Sequence, residues 1–190
     1  MRRAWELQGV ACNCDATVPR TATGLVSWRT PQEKARWLDE AAQADARLPL
    51  TRKFAVQVAR SIDPNRKDLL AEELHRFVRD SIHYVHDPSF EEFASSDVTL
   101  QRGIGDCDDK ARLFVALARS VGLDARIRPV YDKAGNFVHV QATVRWPGSQ
   151  TYPNALPGGA VVAEFIVEGA RLGDDFPQFP RDAAGRIRLV

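Results

Sequence analysis

Three side chains in this 190-residue chain are of the types that together carry out acyl transfer: Cys107, His139 and Glu164. Cys107 lies in Gly103-Ile104-Gly105-Asp106-Cys107-Asp108-Asp109, at the first turn of a helix predicted over residues 106–121. Unpaired amide donors and the positive end of the helix dipole favour a thiolate at such a place, and the thiolate is the nucleophilic form of cysteine. Asp106, Asp108 and Asp109 act against it, because nearby carboxylates disfavour another negative charge, so a histidine partner has to compensate. At ~100° per residue, Ala111, Phe114, Leu117, Ala118 and Val121 fall within about 80° of Cys107, which turns the sulfur toward a sheet rather than open water. The alternative use of such a cysteine is as a small buried hydrophobe.

His139 belongs to a strand predicted over residues 137–146. Strict alternation puts Val138, Val140, Ala142 and Val144 on one face, and Phe137, His139, Gln141 and Thr143 on the more polar one. An imidazole side chain in general can accept a thiol proton and later return it to a leaving amine, and a cleft lined by this face would let His139 do so. The alternative is a solvated strand histidine. In the third predicted strand, residues 160–167, Glu164 shares a face with Val162 and Ile166, while Val161, Ala163, Phe165 and Val167 form the other. A carboxylate among apolar neighbours needs a partner, and orienting His139 would supply one; an edge-strand glutamate facing solvent is the alternative.

These strands and the helix of Cys107 need a framework. Thr30-Pro31-Gln32-Glu33 carries a helix cap, a first-turn proline and a glutamate three residues after the cap, predicting a helix to about Arg47. A second helix is predicted over residues 51–62, with Phe54, Val58 and Ile62 as its buried stripe. A third follows Asp63-Pro64 and runs to about Ser81, presenting Leu70, Leu74, Phe77 and Val78. Residues 82–100 lose periodicity and read as a loop with a short extended piece at 82–85. Gly122 closes the Cys107 helix, and strands at 125–131, 137–146 and 160–167 follow, divided by turn residues. Helices first and strands later, without alternation, indicate an α+β fold with an antiparallel sheet. Residues 1–29 read as an N-terminal arm, 30–175 as one domain and 176–190 as a C-terminal tail.

Composition narrows the function classes. Lys and Arg number 26 against 25 Asp and Glu, so there is no basic surface for nucleic acid. The apolar stretches near residues 113–121 and 161–167 are broken by Arg119 and Glu164, well below the ~20 residues of a membrane span. Residues 4–16 lack the apolar core of a signal peptide, which points to a cytoplasmic protein. Three cysteines are an odd set, and a bond between Cys12 and Cys14 would be strained, so no disulfide framework is expected. Cys12-Asn13-Cys14 offers two thiolates where a zinc or iron-sulfur site normally takes four ligands, and His83 and His86 lack further ligands; no metal is assigned.

The run Gly105-Asp106-Cys107-Asp108-Asp109-Lys110-Ala111, then Leu113, Ala116-Leu117, Gly122-Leu123-Asp124-Ala125-Arg126 and His139-Val140, resembles the transglutaminase-like superfamily over roughly residues 77–167. The resemblance implies a papain-like α+β fold, with helices packed on an antiparallel sheet and the cysteine at the start of the central helix. It implies Cys107 as nucleophile and His139 as base and acid. The family's third residue is an aspartate, usually followed by proline; here Glu164 takes that place, with Asp174 and Asp175 further on. The activity implied is a cofactor-free hydrolase or acyltransferase acting on a peptide or protein amide through a thioester at Cys107. Neither Tyr84 nor Gln101 is fixed by the sequence as the second oxyanion donor beside the Cys107 amide. Similar stand-alone chains in phage and prophage gene sets imply a second role: an inactive, virion-associated assembly protein whose arm and tail contact protein partners.

Overall fold

Thr30 caps the first helix as its sequence predicts: Oγ1 accepts the Glu33 amide at 3.2 Å, and Pro31 takes the first helical position in α1 (Pro31–Asp45). The structure, a computed structural model, describes residues 30–86, 93–132 and 137–176. The expected arm, its two cysteines and residues 177–190 of the expected tail lie outside the described residues. Two further helices follow, α2 (Pro49–Arg60) and α3 (Lys67–Ser81), and then a two-residue strand, β1 (His83–Tyr84). A fourth helix, α4 (Ser96–Arg102), occupies part of the stretch expected to be loop. It carries no long apolar period because polar contacts hold it. Ser96 donates its amide and hydroxyl to Asp45 Oδ2 at 2.8 and 2.9 Å, and Asp97 Oδ1 accepts the Thr51 amide and hydroxyl at 2.7 and 2.6 Å.

After β2 (Ile104–Gly105), which pairs in parallel with β1, comes the central helix α5 (Cys107–Ser120). Every residue from Asp108 to Ala118 is buried, so α5 is enclosed on all sides and not only along one stripe. Its charged residues are paired to match: Asp108 with Lys34 at 2.5 Å, and Arg112 with Asp45 at 2.8 and 3.1 Å. Removing one partner from such a pair would leave an uncompensated buried charge.

The chain then forms an antiparallel sheet in the order β3-β4-β5, with β3 at Asp124–Tyr131, β4 at Phe137–Arg145 and β5 at Val161–Ala163. This is the α+β layout expected, but the strands correct it in two places. First, the register of β3 with β4 shifts between Val130 and Tyr131: Val130 faces His139 and Tyr131 faces Phe137. Val138 is the extra residue of this bulge and stands 50% exposed, while Phe137 packs against the core with the Lys34 ammonium over its ring. Strict alternation therefore fails at the residue before His139. Second, β5 ends at Ala163 instead of running to Val167, because Glu164 turns its own carboxylate onto the amides of Phe165 and Ile166 at 2.7 and 2.8 Å. Those amides are lost to the ladder. Residues 161–167 are nonetheless all buried, and Phe165 packs against Phe114 of α5 with the rings tilted by 47° and 5.2 Å between their centres.

Candidate active site

Cys107 is held by the turn that starts α5. Asp106, extended at φ −87°, accepts the amides of Asp108 and Asp109 on Oδ1 at 2.9 and 3.1 Å. Gly105 lets the preceding strand pass over that turn: a Cβ there would lie 2.7 Å from Asp109 Cβ, well inside contact distance. Asp109 in turn accepts the Ala94 amide at 3.0 Å, tying the segment before α4 to the same turn.

The half-buried thiol donates to Asp108 Oδ1 at 3.7 Å, and the Val140 amide of β4 is directed at the sulfur. Burial pushes this thiol well above the ordinary cysteine range and Asp108 and Asp106 push it further, against the pull of the Val140 amide and Lys34. The resting form is the neutral thiol, not the thiolate that a helix N-terminus favours. Burial and the Asp108 charge are the main reasons, and Asp106 adds to them: it takes two of the first-turn amides that would stabilise an anion and brings a negative charge of its own.

His139 and Glu164 are both buried, at 4% and 0% exposure, which removes the solvated alternatives for each. His139 Nε2 meets Glu164 Oε2 at 2.9 Å. Gln141, two residues further along β4, donates Nε2 to the same oxygen at 2.7 Å, while Glu164 Oε1 accepts the amides of Phe165 and Ile166. Burial alone would raise the Glu164 carboxyl, but the bonds from His139, the Ile166 amide and Gln141 outweigh it and hold the group below its ordinary range. Asp174 and Asp175 are occupied elsewhere. Asp174 accepts the Arg171 amide at 2.8 Å, and Asp175 pairs with Arg128 at 2.9 and 3.0 Å.

The three residues singled out in the sequence thus converge on one place. Glu164 bonds His139, and the thiol of Cys107 rests against the amide of the residue after His139. With Nε2 committed to Glu164, Nδ1 is the imidazole nitrogen through which a thiol proton would pass. Of the two oxyanion candidates, Tyr84 lies opposite Gly105 in the β1–β2 pair, two residues from Cys107, whereas Gln101 is exposed on α4.

Two neighbours escape the sequence reading. His75 of α3, buried, donates from Nε2 to the Glu164 carbonyl at 2.6 Å, and burial pushes its imidazole down to about 4, so it is neutral at pH 7. Its position among Ala71, Leu74 and Val78 on the buried face of α3 is the available signal. Lys110 of α5 is fully buried and donates Nζ to the carbonyls of Ile82 and Arg79 at 2.8 and 3.2 Å, closing the end of α3 just before β1. Burial brings its amine down to about 8. Among the described residues no group of three His, Cys, Asp or Glu side chains could hold a metal ion, and no helix is long and apolar enough to cross a membrane.

No curated protein and no solved structure matches the chain. Residues 52–154, more than half of its length, match the transglutaminase-like superfamily, and this stretch contains the α5 cysteine and the β4 histidine. The chain belongs to the transglutaminase-like superfamily.

Proposed function

We propose that the chain is a cysteine-dependent hydrolase or acyltransferase that attacks an amide bond of a peptide or protein. The observation that carries this reading is the buried His139–Glu164 bond, set one residue along β4 from the amide that faces the Cys107 thiol. A strand histidine in general use does not need a carboxylate held below its ordinary range by buried donors; a histidine that must become positively charged does. In the reaction, Sγ attacks the carbonyl carbon as its proton passes to His139, and Glu164 stabilises the imidazolium formed. The C–N bond then breaks, His139 gives the proton to the departing amine, and a thioester remains on Cys107. Water or an amine attacks that thioester with proton loss to His139, releasing acid or a new amide and restoring the thiol. The Cys107 amide, the first-turn donor that Asp106 does not take, supports the oxyanion, and Tyr84, whose backbone pairs with Gly105 two residues before Cys107, is the second donor of this reading.

The test is intact-mass spectrometry of protein quenched during reaction with an activated peptide ester. One acyl group per chain is expected, absent in Cys107→Ala; acylation that survives Cys107→Ala overturns the mechanism. A second reading, a fold kept for binding or assembly, draws on the raised thiol of the resting site. It requires a chain that folds normally, stays unacylated, and binds a protein partner.

A further inference from the structure

We propose that Gln141, oriented by Arg128 and Asp175, is a positioning residue that sets how strongly Glu164 supports His139. This deepens the proposed function and rests on it. Gln141 is fully buried, and its amide has one workable orientation. Oε1 accepts Arg128 Nη1 at 2.7 Å and Nε2 donates to Glu164 Oε2 at 2.7 Å; turning the amide over would set oxygen against carboxylate and NH2 against guanidinium. Strand pairing fixes the same contact, because Arg128 and Gln141 are direct partners in the β3–β4 register. Arg128 is itself gripped at both terminal nitrogens by Asp175, at 3.0 and 2.9 Å. A line of hydrogen bonds therefore runs from a partly exposed ion pair to the one carboxylate oxygen that His139 also uses.

Sharing that oxygen has a chemical consequence. Each donor on Oε2 draws charge away from the other, so Gln141 moderates the pull of Glu164 on the imidazole. Arg128 strengthens the moderation by polarising the Gln141 amide and by its own positive charge. The other charged or titratable groups around the pair are Cys107 and Lys110 of α5, with Asp106 and Asp108 beside the thiol, and His75, Arg79 and Asp80 of α3; Lys34 of α1 faces the thiol. None of these is altered by changing Gln141 or Arg128.

The experiment follows the four histidines of the full chain by NMR through a pH titration, in wild type, Gln141→Met and Arg128→Met, with His139→Ala identifying the signal. The His139 midpoint is expected to rise by about half a pH unit or more in Gln141→Met, and by less in the same direction in Arg128→Met. The pH at which acylation reaches half its plateau is expected to move up together with the His139 midpoint in Gln141→Met. Arg128 is partly exposed, so its variant keeps the test open if the buried substitution prevents folding. A His139 midpoint that stays put in a folded variant, with only thermal stability lowered, overturns the proposal. If the midpoint moves while no acylation depends on Cys107, the proposed function fails and the coupling of Gln141 to His139 stands.

Discussion

The two halves of the candidate site are built to opposite electrostatic ends. At the start of α5 the thiol is surrounded by carboxylates, and the first-turn amides of Asp108 and Asp109 are already taken by Asp106; the result is a cysteine held as a neutral thiol. Across the site, Glu164 is buried more completely but is ringed by donors from His139, Gln141 and two amides; the result is a carboxylate held ionised. Burial acts in the same direction on both acids. What separates them is who supplies the neighbouring hydrogens, so depth alone is a poor guide to charge state in this site. The asymmetry suits general-base catalysis, in which the proton leaves sulfur only as the carbonyl is attacked and the positive charge then formed on His139 meets a waiting anion.

The contrast can be broken most severely on the carboxylate side. Glu164→Gln keeps an acceptor for the Phe165 and Ile166 amides but turns an NH2 group toward donors on His139 and Gln141. The acylation rate is expected to fall by about 10²- to 10⁴-fold, measured with the peptide ester on protein shown to be folded.

A second variant separates the ionised carboxylate from the neutral ring behind it. His75 is held at about 4 in the fold against an ordinary 6.5, so between those values the unfolded chain binds more protons and stability rises with pH. Urea unfolding should show wild type losing about 3 kcal/mol as pH falls from 6.5 to 4. Glu164 is shifted in the same direction but acts in a lower window: its contribution is complete above its ordinary 4.5 and is lost only as pH drops below that. The window from 4.5 to 6.5 therefore belongs to His75. His75→Gln, which keeps a donor for the Glu164 carbonyl, is expected to flatten the slope there.

The smallest expected effect falls on the thiol side. Gly105→Ala forces a Cβ onto Asp109 Cβ and so disturbs the turn that carries Cys107. A loss of about 1–3 kcal/mol is expected in thermal unfolding, with slower acylation and no change in the pH slope owed to His75.

The helix that carries Cys107 is legible in the sequence because its punctuation is local: Asp106 starts it, and Gly122, at φ 79°, follows its end. Glu164 is legible as a carboxylate in need of a partner because its neighbours are apolar on both faces. The bulge at Val138 is not, since an extra residue in a strand leaves no mark on composition; it reverses the faces expected for Phe137 and Val138 while leaving His139 with Gln141 and Glu164. The charge state of Cys107 is not legible either. It depends on which donors Asp106 occupies and on how deeply the sulfur sits, and both are set by packing. His75 and Lys110 escape for a related reason: a polar residue on a buried helical face declares itself only when the carbonyl it serves, 89 or 28 residues away, is in place.

The most direct measurement is the rate of iodoacetamide alkylation at Cys107 from pH 6 to 10, resolved by peptide mass spectrometry in wild type and His139→Ala. If His139 draws the proton from a resting neutral thiol, wild type reacts measurably at pH 7. His139→Ala should then be slower there by about tenfold or more, converging with wild type only where the thiol ionises unaided. Superimposable profiles in the two proteins would contradict the coupling of Cys107 to His139 on which the site rests.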